Sequence, residues 1–186
     1  MPDDHQLVSY AVGMVGLIES IKCSEQQASG YSEHHAILRY LSSAYPDVAD
    51  HWYPADVKKR AQIDCILDWH HTNLRPGSGG LTINRVAAPL LGRPLDEKTA
   101  AESEVLLKAS IKRIDTLWLN KEGSFLTGNE QPSIADLSLA CELMQVEFLG
   151  EEYKSELLSP HPKVKHWLKA GDVHQKLKAG ALAFRK

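Results

Sequence analysis

Helical patterns dominate the sequence from Glu33 onward, and they constrain the fold more than any other feature. Residues 97–119 repeat apolar side chains from Leu107 to Trp118 at spacings of three and four, and residues 133–148 do likewise. That spacing lines one face of an α-helix. No convincing stretch shows the alternation of β-branched residues that a strand would have. The pattern predicts an all-α bundle in which each helix buries one stripe against its neighbours.

Proline and glycine set the predicted helix ends. Pro54 suits the first turn of a long helix that runs through Leu74, because a fixed φ and a missing N–H are tolerated there. Pro76 and Gly77 are predicted to end that helix. The other predicted helices cover residues 3–22, 33–44, 78–91, 97–119, 133–148, 162–169 and 172–184.

Composition and charge narrow the class of protein. The 186 residues are 43% hydrophobic and 24% charged with a net charge of −3, which is typical of a soluble globular protein and offers no basic footprint for nucleic acid. The apolar run at residues 7–18 is shorter than the roughly 20 residues that cross a bilayer, and no basic residue precedes it. Cys23, Cys65 and Cys141 form no paired motif. We therefore expect a cytoplasmic protein with no membrane partner.

A helix-start motif lies in the sequence GNEQPSIADL. The Ser133 side chain can accept from the N–H of Asp136, while the Asp136 carboxylate can reach back to the Ser133 N–H. This reciprocal arrangement is a capping box, and it predicts a structural role for both residues.

Two adjacent histidines and an arginine lie near the predicted end of the long helix, in the sequence DWHHTNLRP. On a helix His70 and His71 point about 100° apart, whereas metal ligands that share one face are three or four residues apart. No metal site is expected from this spacing. Arg75 has two open interpretations, since it can complement the C-terminal dipole of the helix or present its guanidinium to an anion.

The segment YSEHHAILRYL places polar residues directly before an apolar helical pattern. One interpretation is purely structural: Glu33 interacts favourably with the helix N-terminus, and His34 and His35 are solvated. From Ala36 the segment continues as a helix.

Four segments of the chain carry a family resemblance when they are taken together: EHHAILRYLSSAYP, DHWYPADVKKRAQIDCILDWHHTNLRPG, FLTGNEQPSIADLSLACEL and LLSPHPKVKHWL. They resemble the helical C-terminal half of glutathione transferases, most closely those of the plant theta class. The resemblance covers residues 33 to about 170 in one order. It implies a glutathione transferase C-terminal-like helix bundle that supplies the electrophile pocket, while a thioredoxin-like domain binds glutathione as co-substrate.

The resemblance also implies roles for single residues. Glu33 matches the acid that accepts from the glutathione amino group, and His34 stands where the family has a serine. Arg75 matches an arginine that faces the substrate or the glutathione carboxylate. No serine in residues 1–32 has the context of the family's thiolate-stabilising serine, so no catalytic residue is assigned.

The resemblance divides the chain into three parts. Residues 1–32 are interpreted as a divergent segment made of a helix and a linker, residues 33–45 as the last helix of the thioredoxin-like domain, and residues 46–186 as the C-terminal helical domain. A single βαβ unit takes about 30 residues or more, so residues 1–32 are too few for a complete thioredoxin-like domain. We expect a truncated theta-like transferase with impaired activity.

The sequence is compatible with two functions. The first is glutathione conjugation to electrophiles, with glutathione-dependent peroxide reduction as a second reaction. The alternative is a non-catalytic helical module for protein interaction or apolar-ligand binding. Apolar faces left uncovered by a missing thioredoxin-like half would favour the alternative, and they also predict a homodimer or other self-association.

Overall fold

The computed structural model describes residues 34–46 and 48–170, and the side chains of residues 35–46 and 48–169. Glu33 and the helices predicted over residues 3–22 and 172–184 lie outside the described residues.

The described ranges are all-α and contain no strand, which confirms the predicted fold class. The helices of eight or more residues are α1 (His34–Ala44), α2 (Val57–Thr72), α3 (Leu74–Thr82), α4 (Glu97–Arg113), α5 (Ile134–Met144), α6 (Glu151–Leu158) and α7 (Pro162–Ala170). Two three-residue helical segments cover Asp50–Trp52 and Ala88–Leu90. Turns of other helical types follow three of them: Ile83–Ala87 after α3, Ile114–Trp118 after α4 and Gln145–Leu149 after α5. None of the helices in the described ranges is both long and apolar enough to span a bilayer.

The long helix begins at Val57, so the predicted start at Pro54 was wrong. Asp56 precedes it with an extended backbone, and its side chain accepts from the Lys59 N–H at 2.9 Å. Aspartate is a strongly preferred N-cap because it satisfies a backbone donor that the first turn leaves unpaired. The cap therefore places the helix start three residues after the proline.

Pro76 and Gly77 do not end a helix, which corrects a second prediction. The chain breaks earlier, at Asn73, whose backbone lies outside the helical region at φ −127° and ψ −72°. Pro76 then falls in the first turn of α3, where the backbone N–H groups have no intrahelical partner. Its missing donor therefore costs that helix nothing.

Helix α6 was not predicted at all. Among its eight residues only Leu157 and Leu158 are buried, so the segment carries too few apolar positions to show a helical period. Its start follows Gly150, whose φ of 100° is readily accessible only to glycine.

Helices α2, α3, α4 and α5 share one hydrophobic core. Leu67, Leu74, Leu107 and Leu139 come from these four helices in turn, and all have no exposed surface. Trp167 of α7 joins the same core at 1% exposure. The apolar stripe predicted for α4 lies in this core.

Helix α5 is buried around most of its circumference. Leu137, Cys141 and Met144, which belong to the apolar repeat predicted over residues 133–148, are only half-buried, whereas Ser138 and Glu142 are buried. The helix packs against α1, α2 and α3, so its polar positions also face neighbouring helices. A buried carboxylate of this kind requires hydrogen-bond partners, and those partners form the centre of the candidate site.

Candidate functional site

Three histidines meet where α1 packs against α2, and we call His35, His70 and His71 the histidine cluster. The His35 ring centroid lies 4.2 Å from that of His71 and 5.1 Å from that of His70. The His70 and His71 centroids are 5.7 Å apart. His35 and His70 are 2% and 1% exposed, while His71 is half-buried. The three imidazoles therefore form one shielded group contributed by two helices.

Helix α5 supplies polar partners for two of these rings. The Nε2 atom of His35 is 2.8 Å from the Ser138 hydroxyl oxygen, and the Nε2 atom of His70 is 3.2 Å from a carboxylate oxygen of Glu142. Ser138 and Glu142 are four residues apart, so a single face of α5 carries both. These contacts fix the orientation of both rings.

Glu142 joins helices α2, α3 and α5 through its buried carboxylate. Besides His70 it accepts from the Ser78 hydroxyl of α3 and from the Gln145 side-chain amide at 3.2 Å. Burial acts to raise the pKa of Glu142, but the hydrogen bonds from His70 and Ser78 and the electrostatic interactions with His70 and Arg75 outweigh it. The pKa of Glu142 therefore lies below its usual value, and the side chain is a carboxylate at neutral pH.

An ion pair joins α1 to α2 one helical turn after His35. Arg39 Nε donates to an Asp64 carboxylate oxygen at 2.7 Å, and the Tyr53 hydroxyl donates to both oxygens of the same group. A second guanidinium nitrogen of Arg39 lies 3.6 Å from Asp68. Because these contacts position α1, they also position His35.

The structure describes only part of the set of residues to which the resemblance assigns a role in binding. Glu33 lies outside the described residues, and His34 is described only as the first residue of α1. Arg75 is exposed in the first turn of α3, and its charge helps to lower the pKa of Glu142. The described part of the chain therefore places Arg75 at the exposed start of α3, within electrostatic reach of Glu142, but tests none of the three roles.

Ser133 and Asp136 form a capping box at the start of α5. One Asp136 carboxylate oxygen accepts from the Ser133 N–H at 2.9 Å and from its hydroxyl at 2.8 Å. The other oxygen accepts from the Leu126 N–H at 2.9 Å and from the Trp167 indole at 3.0 Å. Burial raises the pKa of the Asp136 carboxyl, while these hydrogen bonds act to lower it. The group therefore joins three segments as well as capping a helix.

Sequence reasoning missed the polar residues that make this junction. His35 was interpreted as a solvated residue at a helix start, and it is buried. Ser138 and Glu142 are not among the predicted site residues, although two polar residues four apart, in a helix whose one other polar residue is the capping Asp136, are a usable signal. Since a buried polar side chain needs a partner, that spacing could have pointed to a polar contact with a neighbouring helix.

The two cysteines of the described ranges differ in environment. Cys65 is exposed. Burial, with a smaller effect from the charge of Glu142, raises the pKa of the Cys141 thiol to about 11. Because the thiolate is the reactive form, Cys141 is not a nucleophile at neutral pH.

A separate groove of about 450 Å³ lies between α2 and α4. Trp69 and Leu106 contribute apolar surface, and Lys112 and Arg113 contribute positive charge. The guanidinium carbon of Arg113 lies 5.8 Å from the Trp69 ring centroid. An apolar or aromatic molecule with an acidic group matches this lining.

Comparison with known proteins identifies the relatives of this chain. The family model for the glutathione S-transferase C-terminal domain matches residues 97–170. Glutathione S-transferase T3 of Arabidopsis thaliana is 58% identical over 137 residues, which are 74% of this chain and 23% of that protein. Glutathione S-transferase T1 of the same plant is 57% identical over 136 residues, which are 73% of this chain and 56% of that protein.

A solved structure supports the same assignment. The human theta-class glutathione transferase, in complex with the glutathione conjugate of 1-menaphthyl sulfate, superposes with a TM-score of 0.66 at 30% sequence identity. The superposition covers 82% of this chain and 62% of the human one. The chain therefore belongs to the theta class of the glutathione S-transferase family, through residues that fold as its helical C-terminal domain.

Proposed function

We propose that this chain serves glutathione conjugation to electrophiles, with glutathione-dependent peroxide reduction as a related reaction. The observation that carries the proposal is the identity of 58% and 57% to two plant glutathione S-transferases over about three quarters of the chain. The human relative that holds a glutathione conjugate has the same helical fold, and this supports the ligand class.

In this proposal Glu33 and His34 bind glutathione, and Arg75 binds the substrate or a glutathione carboxylate. Glu33 accepts from the amino group of the γ-glutamyl end, and His34 donates a hydrogen bond where the family has serine. Arg75 presents its guanidinium to a carboxylate of glutathione or to the substrate. The exposure of Arg75 and its electrostatic effect on the Glu142 carboxylate support this role.

We further propose that the chain by itself is a poor catalyst. In conjugation the glutathione thiolate attacks an electrophilic carbon, a C–S bond forms, and the leaving group departs with its electron pair. Family members stabilise that thiolate with a serine hydroxyl, and no serine of residues 1–32 has the matching context. Cys141 offers no replacement because its thiol stays protonated.

Calorimetry and a conjugation assay on the full chain test both parts of the proposal. Arg75→Ala is expected to weaken glutathione binding by roughly tenfold or more, since a hydrogen bond to a charged group contributes about 1.5–3 kcal/mol. Arg93→Ala is the matched control, because Arg93 is also an exposed arginine but lies beyond α3. Equal dissociation constants for both variants would contradict a contact between Arg75 and glutathione.

The same protein is expected to conjugate 1-chloro-2,4-dinitrobenzene at a rate close to the uncatalysed background. A turnover typical of glutathione transferases would contradict the proposed loss of activity. Absence of any glutathione binding to the full chain would contradict the glutathione site itself.

A second candidate function is binding of an apolar ligand, and the groove between α2 and α4 favours it. Several large apolar side chains are also exposed, among them Val57 at 80% and Leu90 at 74%. Such surface supports either a small ligand or self-association of the chain.

Filling the groove tests this second function. Ala109 is exposed and lines the groove, so Ala109→Trp is expected to weaken binding of the anionic dye 1-anilinonaphthalene-8-sulfonate by about tenfold, equivalent to about 1.4 kcal/mol. Ala101→Trp adds the same side chain to an exposed position of the same helix outside the groove and should leave the affinity unchanged. Equal dye fluorescence titrations for both variants would exclude the groove as the binding site.

A further inference from the structure

The histidine cluster offers three metal-binding atoms at one point in the fold. One ring nitrogen each from His35, His70 and His71 lies within 4.8 Å of the other two. In the sequence only His70 and His71 are neighbours, and their spacing does not suit a shared metal ion. Folding brings His35 from α1 against both rings and completes a set of three.

The two deeply buried rings already have the second contacts that metal-bound histidines show. Metal-ligating imidazoles commonly use their other ring nitrogen to contact a carboxylate or another polar group, which sets the tautomer and the ring direction. His70 contacts the carboxylate of Glu142 through Nε2, and His35 contacts the Ser138 hydroxyl through Nε2. The Nδ1 atoms of both rings are buried, and because Nε2 makes those contacts, Nδ1 is the ring nitrogen that would bind a metal ion.

The donor set and its charge suit a transition-metal dication. Imidazole is a good ligand for zinc, and three histidines with a water in the fourth position form a known type of tetrahedral zinc site. The carboxylate of Glu142 lies one ring away and offsets part of the positive charge that a dication would bring into the interior. Three neutral imidazole ligands alone would not offset that charge.

We propose that His35, His70 and His71 bind one zinc ion, which ties α1 to α2 and, through Glu142, to α5. Tetrahedral ligation at about 2.0–2.1 Å requires the nitrogens to lie about 3.3–3.4 Å apart. The ring nitrogens lie within 4.8 Å of one another, so the two most distant must approach by up to about 1.5 Å. Because His71 is only half-buried, its ring is the one that we expect to move toward the other two.

Metal titration of the full chain tests this site. After treatment with a chelator, the protein is titrated with Zn²⁺ in a calorimeter and with Co²⁺ in a spectrophotometer. His71→Gln removes one ligand and is expected to weaken zinc binding at this site by more than about a hundredfold, since loss of a second contact alone costs 10- to 100-fold. His166→Gln changes an exposed histidine of α7 and should leave binding intact.

Two further measurements separate ligation from general damage to the fold. Co²⁺ should give the intense visible absorption of a tetrahedral site in the wild type and in His166→Gln, but not in His71→Gln. Zinc at a hundredfold excess over Kd should raise Tm by about 5 °C or more in the same two proteins. Glu142→Gln, which leaves all three ligands in place, should weaken zinc binding about tenfold.

The proposal would be overturned if the wild type bound no zinc, or if His71→Gln retained the full affinity and the cobalt spectrum. Octahedral cobalt absorption in the wild type would also overturn it. If His71→Gln proved unfolded by circular dichroism, the Glu142→Gln affinity and the wild-type cobalt spectrum would decide the question.

Discussion

Replacing Asp136 with asparagine is expected to lower the free energy of unfolding by about 3–5 kcal/mol. The carboxylate accepts four hydrogen bonds, two on each oxygen, from Leu126, Ser133 and Trp167. Asparagine keeps one acceptor oxygen and places an NH₂ group against the other pair of donors. Two buried donors then lose their partner, and each such loss costs about 1–3 kcal/mol.

Urea unfolding followed by circular dichroism measures this effect. Glu130→Gln is the matched control, since it makes the same change of carboxylate to amide at an exposed position six residues earlier. The control should stay within about 0.5 kcal/mol of the wild type. A similar small change for Asp136→Asn would mean that the four contacts do not carry the stability assigned to them.

The hydrogen bonds of Asp136 show which contacts can be predicted from sequence and which cannot. Ser133 and Asp136 are three residues apart, so their pairing follows from local helix geometry and was predictable. Leu126 and Trp167 reach the same carboxylate from ten residues earlier and 31 residues later. No local pattern encodes those distances, because they depend on how the helices pack.

The helix boundaries likewise divide into those that local sequence predicts and those that it does not. The fold class was predictable because apolar spacing is a local property that each helix carries by itself. The start of α2 at Val57 also follows from local sequence, because Asp56 is a preferred N-cap residue. Asp56 was therefore a better indicator of the helix start than Pro54. The continuation of helix across Pro76 depends instead on the break at Asn73, which no proline or glycine marks.

The histidine cluster was beyond sequence reasoning for a different reason. His70 and His71 were visible as a pair, but His35 lies 35 residues before His70 and joins them only when α1 packs on α2. The polar residues of α5 were equally remote in sequence. A site built from three helices therefore required the structure, even though each residue type could be noted beforehand.

Gly77→Ala is expected to destabilise the fold by about 2–3 kcal/mol, although alanine is the better helix former. A Cβ atom at Gly77 would lie 2.7 Å from the Leu107 backbone nitrogen and 2.9 Å from its Cα atom. Both atoms belong to the backbone of α4, so no side-chain rotation can relieve the contact. Helices α3 and α4 would have to separate, which would loosen the core that Leu74 and Leu107 share.

Gly79→Ala should act in the opposite direction, and the pair of variants isolates the cause. Gly79 lies two residues further along the same helix, and its Cβ would meet only a Glu142 carboxylate oxygen at 3.8 Å, an ordinary contact distance. Alanine there should raise the free energy of unfolding by about 0.5–1 kcal/mol through helix propensity. If urea unfolding gave both variants the same sign, backbone approach between α3 and α4 would not be what requires glycine at position 77.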